Sequence, residues 1–312
     1  MRLLRKALKF IGYMIGGLVT LAGVALLFVY IKSSLSASAT MDLLGKEAPV
    51  LEVEGHLFRD LNKNGKLDVY EDINADIADR IEDLASQMTL DEKAGLMFII
   101  QTPMNEDGSL SNAQSIVNPI SLAFESNVEL VAKKKMNHFN LLQVATPEAL
   151  ISWNNNIQKL AERTRLGIPV TLGTDPRHGV PDALGASIFT PYFSQWCSTL
   201  GFGAIGDTVL MREFGDIARQ EYKAVGFRLT LSPQADLSTE PRWWRVNTTF
   251  GEDAELSAKL TKAYILGLQG DTLNNKSVAC MVKHFAGGGP QENGGDAHFP
   301  PGKQVYPGNN VN

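Results

Sequence analysis

Between Thr146 and Phe285 the chain alternates between helical patterns and short apolar runs, and this alternation restricts the fold more than any other feature. Thr146-Pro147-Glu148 starts a helix, with proline at the first helical position. The helix is expected to reach about Arg165, with Leu150, Trp153, Ile157 and Leu160 on one face and Gly167 as its stop. Ile168 to Leu172 then has the length of a buried strand. A second helix, Asp207 to Val225, stops at Gly226 and leads into the run Phe227 to Leu231. A third, Asp253 to Gln269, stops at Gly270 and leads into Val278 to Val282. Helices and buried strands in turn build a parallel sheet. No glycine-rich dinucleotide fingerprint follows any of the strands, which argues against a Rossmann domain. The expectation is an α/β protein with a (β/α)8 TIM-like barrel, incomplete within these residues.

In such a barrel the carboxyl ends of the strands converge on one face. The first strand delivers Asp175, Arg177 and His178 there, and the next delivers Asp236, then Arg242, Trp243, Trp244 and Arg245. The last delivers Lys283, His284 and Phe285, followed by glycines up to Gly289, where the backbone turns or lets something approach closely. Aspartate, cations and indoles together suit a neutral, polyhydroxylated ligand. Charged side chains make strong hydrogen bonds to hydroxyls, and an indole can cover the apolar face of a sugar ring. Singly, each also has a structural reading: Asp175 as a loop cap, Arg242 as a surface ion-pair partner, the tryptophans as core. A net charge of −5 gives no electrostatic case for nucleic acid. Cys197 and Cys280 have no ligand-like spacing, which argues against a thiol-bound metal and a disulfide framework.

The N-terminal part is built differently. A basic tip over residues 1–9 (Arg2, Arg5, Lys6, Lys9) precedes an uncharged run over 10–31, long enough to span a bilayer as a helix. Basic residues on its amino side keep that end in the cytoplasm. Ala37-Ser38-Ala39 resembles a signal-peptidase site, but Lys32 separates it from an apolar run longer than cleaved signals carry. The expectation is an uncleaved anchor, a tether over 32–56, and an exported main domain. Residues 57–73 hold Asp60-Leu-Asn62-Lys-Asn64-Gly65-Lys66-Leu-Asp68-Val-Tyr-Glu71, which fits the calcium-loop pattern. Asp60, Asn62, Asn64 and Asp68 offer side-chain oxygens, Lys66 its carbonyl, and Glu71 two closing oxygens, with Gly65 at the sharp turn. The alternative is a polar Asn/Gly turn. A lone loop of this kind would be structural rather than a sensor. From residue 74 to 312 the main domain follows. Ile77, Ile81, Leu84 and Met88 form one helical face, Thr89 and Glu92 a capping box, 101–130 a long loop, and 137–142 a short strand.

Several runs, spread in order over residues 85–312, resemble the N-terminal barrel domain of glycoside hydrolase family 3, the β-glucosidase and glucan exohydrolase family. They are Met88-Thr-Leu-Asp-Glu-Lys93, Leu166-Gly-Ile-Pro-Val170 into Gly173-Thr-Asp175, Pro241-Arg-Trp-Trp-Arg245 with Phe250-Gly-Glu-Asp253, and Lys283-His-Phe285. The resemblance implies that Asp175, Arg242, Lys283 and His284 bind hydroxyls of the terminal non-reducing sugar, with His178 and Arg245 in support. It implies release of β-D-glucose from β-linked oligosaccharides or aryl glucosides, with retention and without a catalytic cofactor. Two departures stand out. The family's nucleophile is an aspartate in a Ser/Thr-Asp-Trp-like motif, and none follows His284. Its acid/base glutamate belongs to a second domain. The catalytic residues are therefore expected beyond Asn312. The N-acetylglucosaminidase branch uses an Asp-Ser-His loop after its Lys-His-Phe motif. Asp296-Ala297-His298 is similar, though later and without that branch's Pro-Gly-His, and is the acid/base candidate within the chain. The competing class is a tethered sugar-binding protein without catalysis.

The anchor reading predicts that the protein sediments with membranes and keeps its N-terminus. Mature protein beginning at Thr40 in a soluble fraction would exclude it.

Overall fold

The computed structural model describes residues 2–113, 121, 124–179, 190–285 and 288–299. Helix α1 (Arg2–Met41) carries the apolar run, whose large side chains from Phe10 to Ile31 are exposed. Its stretch Lys9–Met41 is long and apolar enough to cross a membrane. The tether expected over 32–56 is not a loose chain. No proline or glycine interrupts residues 32–41, so the helix continues through Ala37-Ser38-Ala39 to Met41. Ala37, Met41 and Leu44 pack against the core of the main domain, and Thr40 is buried. Gly45 and Arg163 then exchange two 2.9 Å hydrogen bonds, one backbone N–H and one guanidinium N–H. Strands β1 (Val50–Val53) and β2 (His56–Arg59) form an antiparallel hairpin. Its turn residues Glu54 and Gly55 both have positive φ, as a tight two-residue turn requires.

Helix α2 (Ile77–Gln87) forms where expected, capped by Asp76 on the Ala78 N–H. Its apolar stripe does not face inward: Ile77 and Ile81 are 70% and 63% exposed, and no residue of the helix is buried. Polar contacts hold it instead. Asp83 accepts from the Tyr70 N–H, and Arg80 donates to the Tyr70 carbonyl. The Thr89–Glu92 capping box opens α3 (Leu90–Leu96).

Strands β3 (Ile99–Gln101), β4 (His138–Asn140), β5 (Thr171–Thr174), β6 (Leu229–Thr230) and β7 (Ala279–Cys280) form one parallel sheet. They lie side by side in chain order. The eight strands expected of a barrel compare with five in this sheet among the described residues. Helix α4 (Pro147–Glu162) connects β4 to β5, and α5 (Thr199–Ile205) with α6 (Thr208–Ala224) connects β5 to β6. Helix α7 (Ala254–Gln269) connects β6 to β7. β5 starts later than the apolar run suggests. The Gln158 amide takes both backbone groups of Val170, N–H and carbonyl at 2.9 Å each, so Val170 is not free for the ladder. The core lies between sheet and helices: Phe139, Leu172, Phe227 and Val278 meet Trp153 and Ile157 of α4, Met211 and Tyr222 of α6, and Leu260 and Leu268 of α7.

Helices α6 and α7 touch backbone to backbone at Gly215 and Gly267. A methyl group on Gly267 would overlap the Arg212 carbonyl oxygen and sit 2.7 Å from Gly215 Cα. Alanine gains up to about 1 kcal/mol in helix propensity over glycine, but overpacking costs about 1–3 kcal/mol. Gly267→Ala is therefore expected to lower the melting temperature. A rise would mean that the two helices do not meet as closely as described.

Candidate functional site

The carboxyl ends of β4 to β7 place polar residues together. Asn140 closes β4, and Asp175 follows β5 directly. Beyond β6 and β7 the chains keep a parallel partnership. Met281 N–H bonds to the Thr230 carbonyl, Lys283 N–H to Pro233, and Ala235 N–H to Lys283. That extension aims Lys283 across the sheet at Asp175, Nζ to Oδ1 2.8 Å, with both side chains largely buried. Asn140 Nδ2 donates to the other Asp175 oxygen at 2.9 Å. Asn140 Oδ1 and Arg245 Nε are buried close by with no hydrogen-bond partner in the structure. Such atoms are ordinarily met by water or ligand.

His284 is held by Asp236. The carboxylate takes the His284 N–H at 3.1 Å and faces Nδ1 at 2.6 Å. A proton on Nδ1 donates to the carboxylate and leaves Nε2 as the ring's acceptor nitrogen. Burial pushes the Asp236 carboxyl up, but the hydrogen bonds from His284 outweigh it and hold the group below the usual carboxylate range. A Cβ at Gly288 would come within 2.7 Å of Asp236 Oδ1 and 2.9 Å of His284 Cβ, so this glycine serves close approach.

A second pair stands opposite. Buried Asp296 accepts from Trp243 Nε1 at 2.8 Å and the His298 N–H at 3.0 Å, and also contacts His298 Nδ1. Burial raises the Asp296 carboxyl, and the His298 and Trp243 hydrogen bonds with nearby Arg245 bring it below the usual range. Arg245 is buried, donates to Gln234 Oε1 at 2.9 Å and lies 3.2 Å from His298 Nδ1. The His284 and His298 rings meet edge to face, centroids 5.5 Å apart.

The structure thus unites Asp175, Lys283, His284, Arg245, Asp296 and His298. Arg242 pairs its exposed guanidinium with Glu240 at 2.7 Å, and it lies against Gly294 in the segment that carries Asp296. His178 lies beneath the site, 1% exposed, with Nε2 2.8 Å from Glu221 and its ring against Phe193, Phe214 and Tyr222. A water-sized cavity of about 30 Å³ separates it from Lys283 and Gln234. Arg177 is structural. It donates to the Leu141 and Gln143 carbonyls and to Thr174 and Thr190 hydroxyls, and burial pushes it down to about 10. Asn140 and Gln234 were not singled out by sequence. Their position at strand ends is the signal that could have found them.

In the loop 60–71, Asn62 and Asn64 both aim Nδ2 at Asp68 Oδ2, each at 2.6 Å. Asp60 accepts from the Asn64 and Gly65 N–H groups, and Glu71 from Leu61, Asn62 and Asp68. These hydrogen bonds close the loop on itself, and among the described residues no group of three or more His, Cys, Asp or Glu side chains is placed to hold a metal ion. Lys63 fastens the loop to the end of α4 by donating to the Leu61, Glu162 and Thr164 carbonyls.

The family model described as the glycosyl hydrolase family 3 N terminal domain matches residues 89–304. The chain belongs to glycoside hydrolase family 3. It is 42% identical over 254 residues to the probable β-glucosidase C of Aspergillus oryzae, covering 80% of this chain and 38% of that protein. It is 43% identical over 288 residues to the periplasmic β-glucosidase/β-xylosidase of Dickeya chrysanthemi, covering 91% of this chain and 42% of that protein. This family 3 chain therefore spans about two-fifths of the length of these relatives. Among solved structures, a mutant β-glucosidase of Listeria innocua in complex with laminaribiose aligns with TM-score 0.53 and 27% identity, over 70% of this chain and 28% of that one. The β-glucosidase of Erythrobacter marinus aligns with TM-score 0.58 at 24% identity, over 73% of this chain and 28% of that one, a likeness of fold.

Proposed function

We propose that this chain is the sugar-binding part of a membrane-tethered, exported β-glucosidase that releases terminal non-reducing β-D-glucose with retention. The observation that carries the reading is the buried Lys283–Asp175 pair at the strand ends, with Asn140 on the second oxygen and His284 held by Asp236. Charged groups fixed in this way offer strong hydrogen bonds to ring hydroxyls. Strands adjacent in chain order support a (β/α) barrel wall. The exposed apolar stretch of α1 supports the anchor.

Retaining hydrolysis needs two carboxyl groups about 5 Å apart. Asp175, Asp236 and Asp296 are each engaged with a cation or a histidine, which suits binding and positioning rather than attack. A second reading has one observation in its favour. The Asp296–His298 pair stands against His284, where it can work as an acid/base couple of the N-acetylglucosaminidase kind. Turnover of a p-nitrophenyl N-acetyl-β-glucosaminide, lost in His298→Ala, would favour it over glucosidase action.

Calorimetric titration with glucose is the direct test. The wild-type chain should bind, and Lys283→Ala should weaken binding by about 1.5–3 kcal/mol for a lost charged hydrogen bond. Equal affinity in both would remove Lys283 from the sugar site. The loop carries a separate proposal: Asp60, Asn62, Asn64, Asp68, Glu71 and the Lys66 carbonyl hold one structural calcium ion. A ligand bound only by the folded state stabilises it, so saturating calcium should raise the melting temperature of wild type and not of Glu71→Gln. No shift in wild type would refute the site.

A further inference from the structure

Each of α4, α6 and α7 ends beside the amino end of the strand that follows it. The helix ends therefore gather on one face of the sheet, opposite the face that holds Asp175 and Lys283. Cations collect there. Lys223 lies in the last turn of α6, Arg228 directly precedes β6, and Lys276 stands shortly before β7. Arg228 donates to the Asn275 carbonyl and Arg219 to that of Lys276, which draws these segments together. Burial, then repulsion from Arg228, Arg219 and Lys276, holds the Lys223 ammonium below the usual lysine range. Arg219 and Arg212 are paired with Asp216 and Asp271. Lys223, Arg228 and Lys276 have no carboxylate partner among the described residues. Lys223 and Arg228 also line a cleft of about 390 Å³ with Asn154, Asn155 and Gln158 of α4, and none of the described residues lining it is acidic. The anchor joins the fold at the same level. Helix α4, which walls the cleft, ends at Arg163, and Arg163 is the residue that binds Gly45 just beyond α1. A bilayer around the exposed apolar stretch of α1 lies within a short helical arm of this face.

We propose that the amino-end face of the sheet rests on the membrane, with Lys223, Arg228 and Lys276 on the phosphates of anionic lipid headgroups. The proposal rests on the reading of α1 as a membrane anchor. Basic side chains close to an anionic bilayer are drawn to it over about a Debye length. The headgroup phosphates supply the negative charge that no carboxylate of this face supplies, and they relieve the repulsion around Lys223. The amides of Asn154 and Asn155 line the same cleft and can bond headgroup oxygens. The strand carboxyl ends, with Asp175 and Lys283, then face away from the bilayer and toward the medium.

The test is amide hydrogen exchange on the full chain, reconstituted into nanodiscs of phosphatidylcholine alone or with phosphatidylglycerol added. Phosphatidylglycerol should slow exchange several-fold over 223–228 and 273–277 and leave 292–299 unchanged. High salt, which screens exposed charges, should remove the effect. Lys223→Gln with Lys276→Gln should lose the protection, and Lys223→Arg with Lys276→Arg should keep it. If the glutamine variant does not fold, the lipid and salt comparison on wild type decides. Equal exchange in both kinds of disc overturns the proposal and leaves the anchor reading standing. Slowing at 292–299 in place of the amino ends also overturns it, since the domain would then sit the other way up. Slowing reproduced in neutral discs by free glycerol 3-phosphate would make this a soluble-anion site and overturn the lipid. A chain that does not enter the discs overturns both readings.

Discussion

The site depends on a buried ion pair between strands that are not neighbours. Asp175 follows β5 and Lys283 follows β7, with β6 between them. Taking a carboxylate and an ammonium out of water costs several kcal/mol per ion before any attraction returns it. The protein offsets this with Asn140 on the second Asp175 oxygen and with a ladder that continues past β7 to Lys283. The ladder matters because side chains alternate along it. A slip of one residue would bring His284 to the place of Lys283 and turn the lysine away. Register and charge pairing are therefore one constraint, and loss of either partner would leave a charge buried alone.

The two aspartate–histidine pairs repeat one local solution. In each, a buried carboxylate takes both the backbone N–H and the ring Nδ1 of its histidine. Asp236 is 48 residues from His284 in sequence and is brought to it by the β6–β7 partnership, whereas Asp296 lies two residues from His298. The first pair is therefore a product of the sheet and the second of a turn. Both fix an imidazole by its Nδ1, and the edge-to-face meeting of the two rings joins the sheet ends to the segment 288–299.

Much of the scaffold was legible from local chemistry. Thr89 with Glu92, Thr146 with Pro147, Asp207 and Asp253 all cap the helices they announce, because a cap involves only residues within one turn. Residues following strands were legible too: Asp175, Lys283 and His284 stand at the strand ends expected of them. What failed depended on distant partners. The stripe of α2 is exposed because Tyr70, Asp83 and Arg80 settle how that helix docks. Val170 leaves the strand because Gln158 takes its backbone groups. Asn140 and Gln234 carry no motif and acquire meaning only when β4, β6 and β7 stand side by side.

The unbroken course of α1 has a mechanical meaning. A helix that enters the fold without a hinge, with Ala37 and Met41 seated on the core, cannot let the domain swivel freely. Set in a bilayer, the turns between Lys32 and Met41 make an arm on the order of 15 Å at 1.5 Å rise per residue. A typical helix tilt of about 20° then carries the attached domain sideways by about 5 Å and rotates it by the same angle. In a chain so anchored, the span itself would set the orientation of the strand ends relative to the membrane plane, and lipid thickness would reach them through a rigid rod.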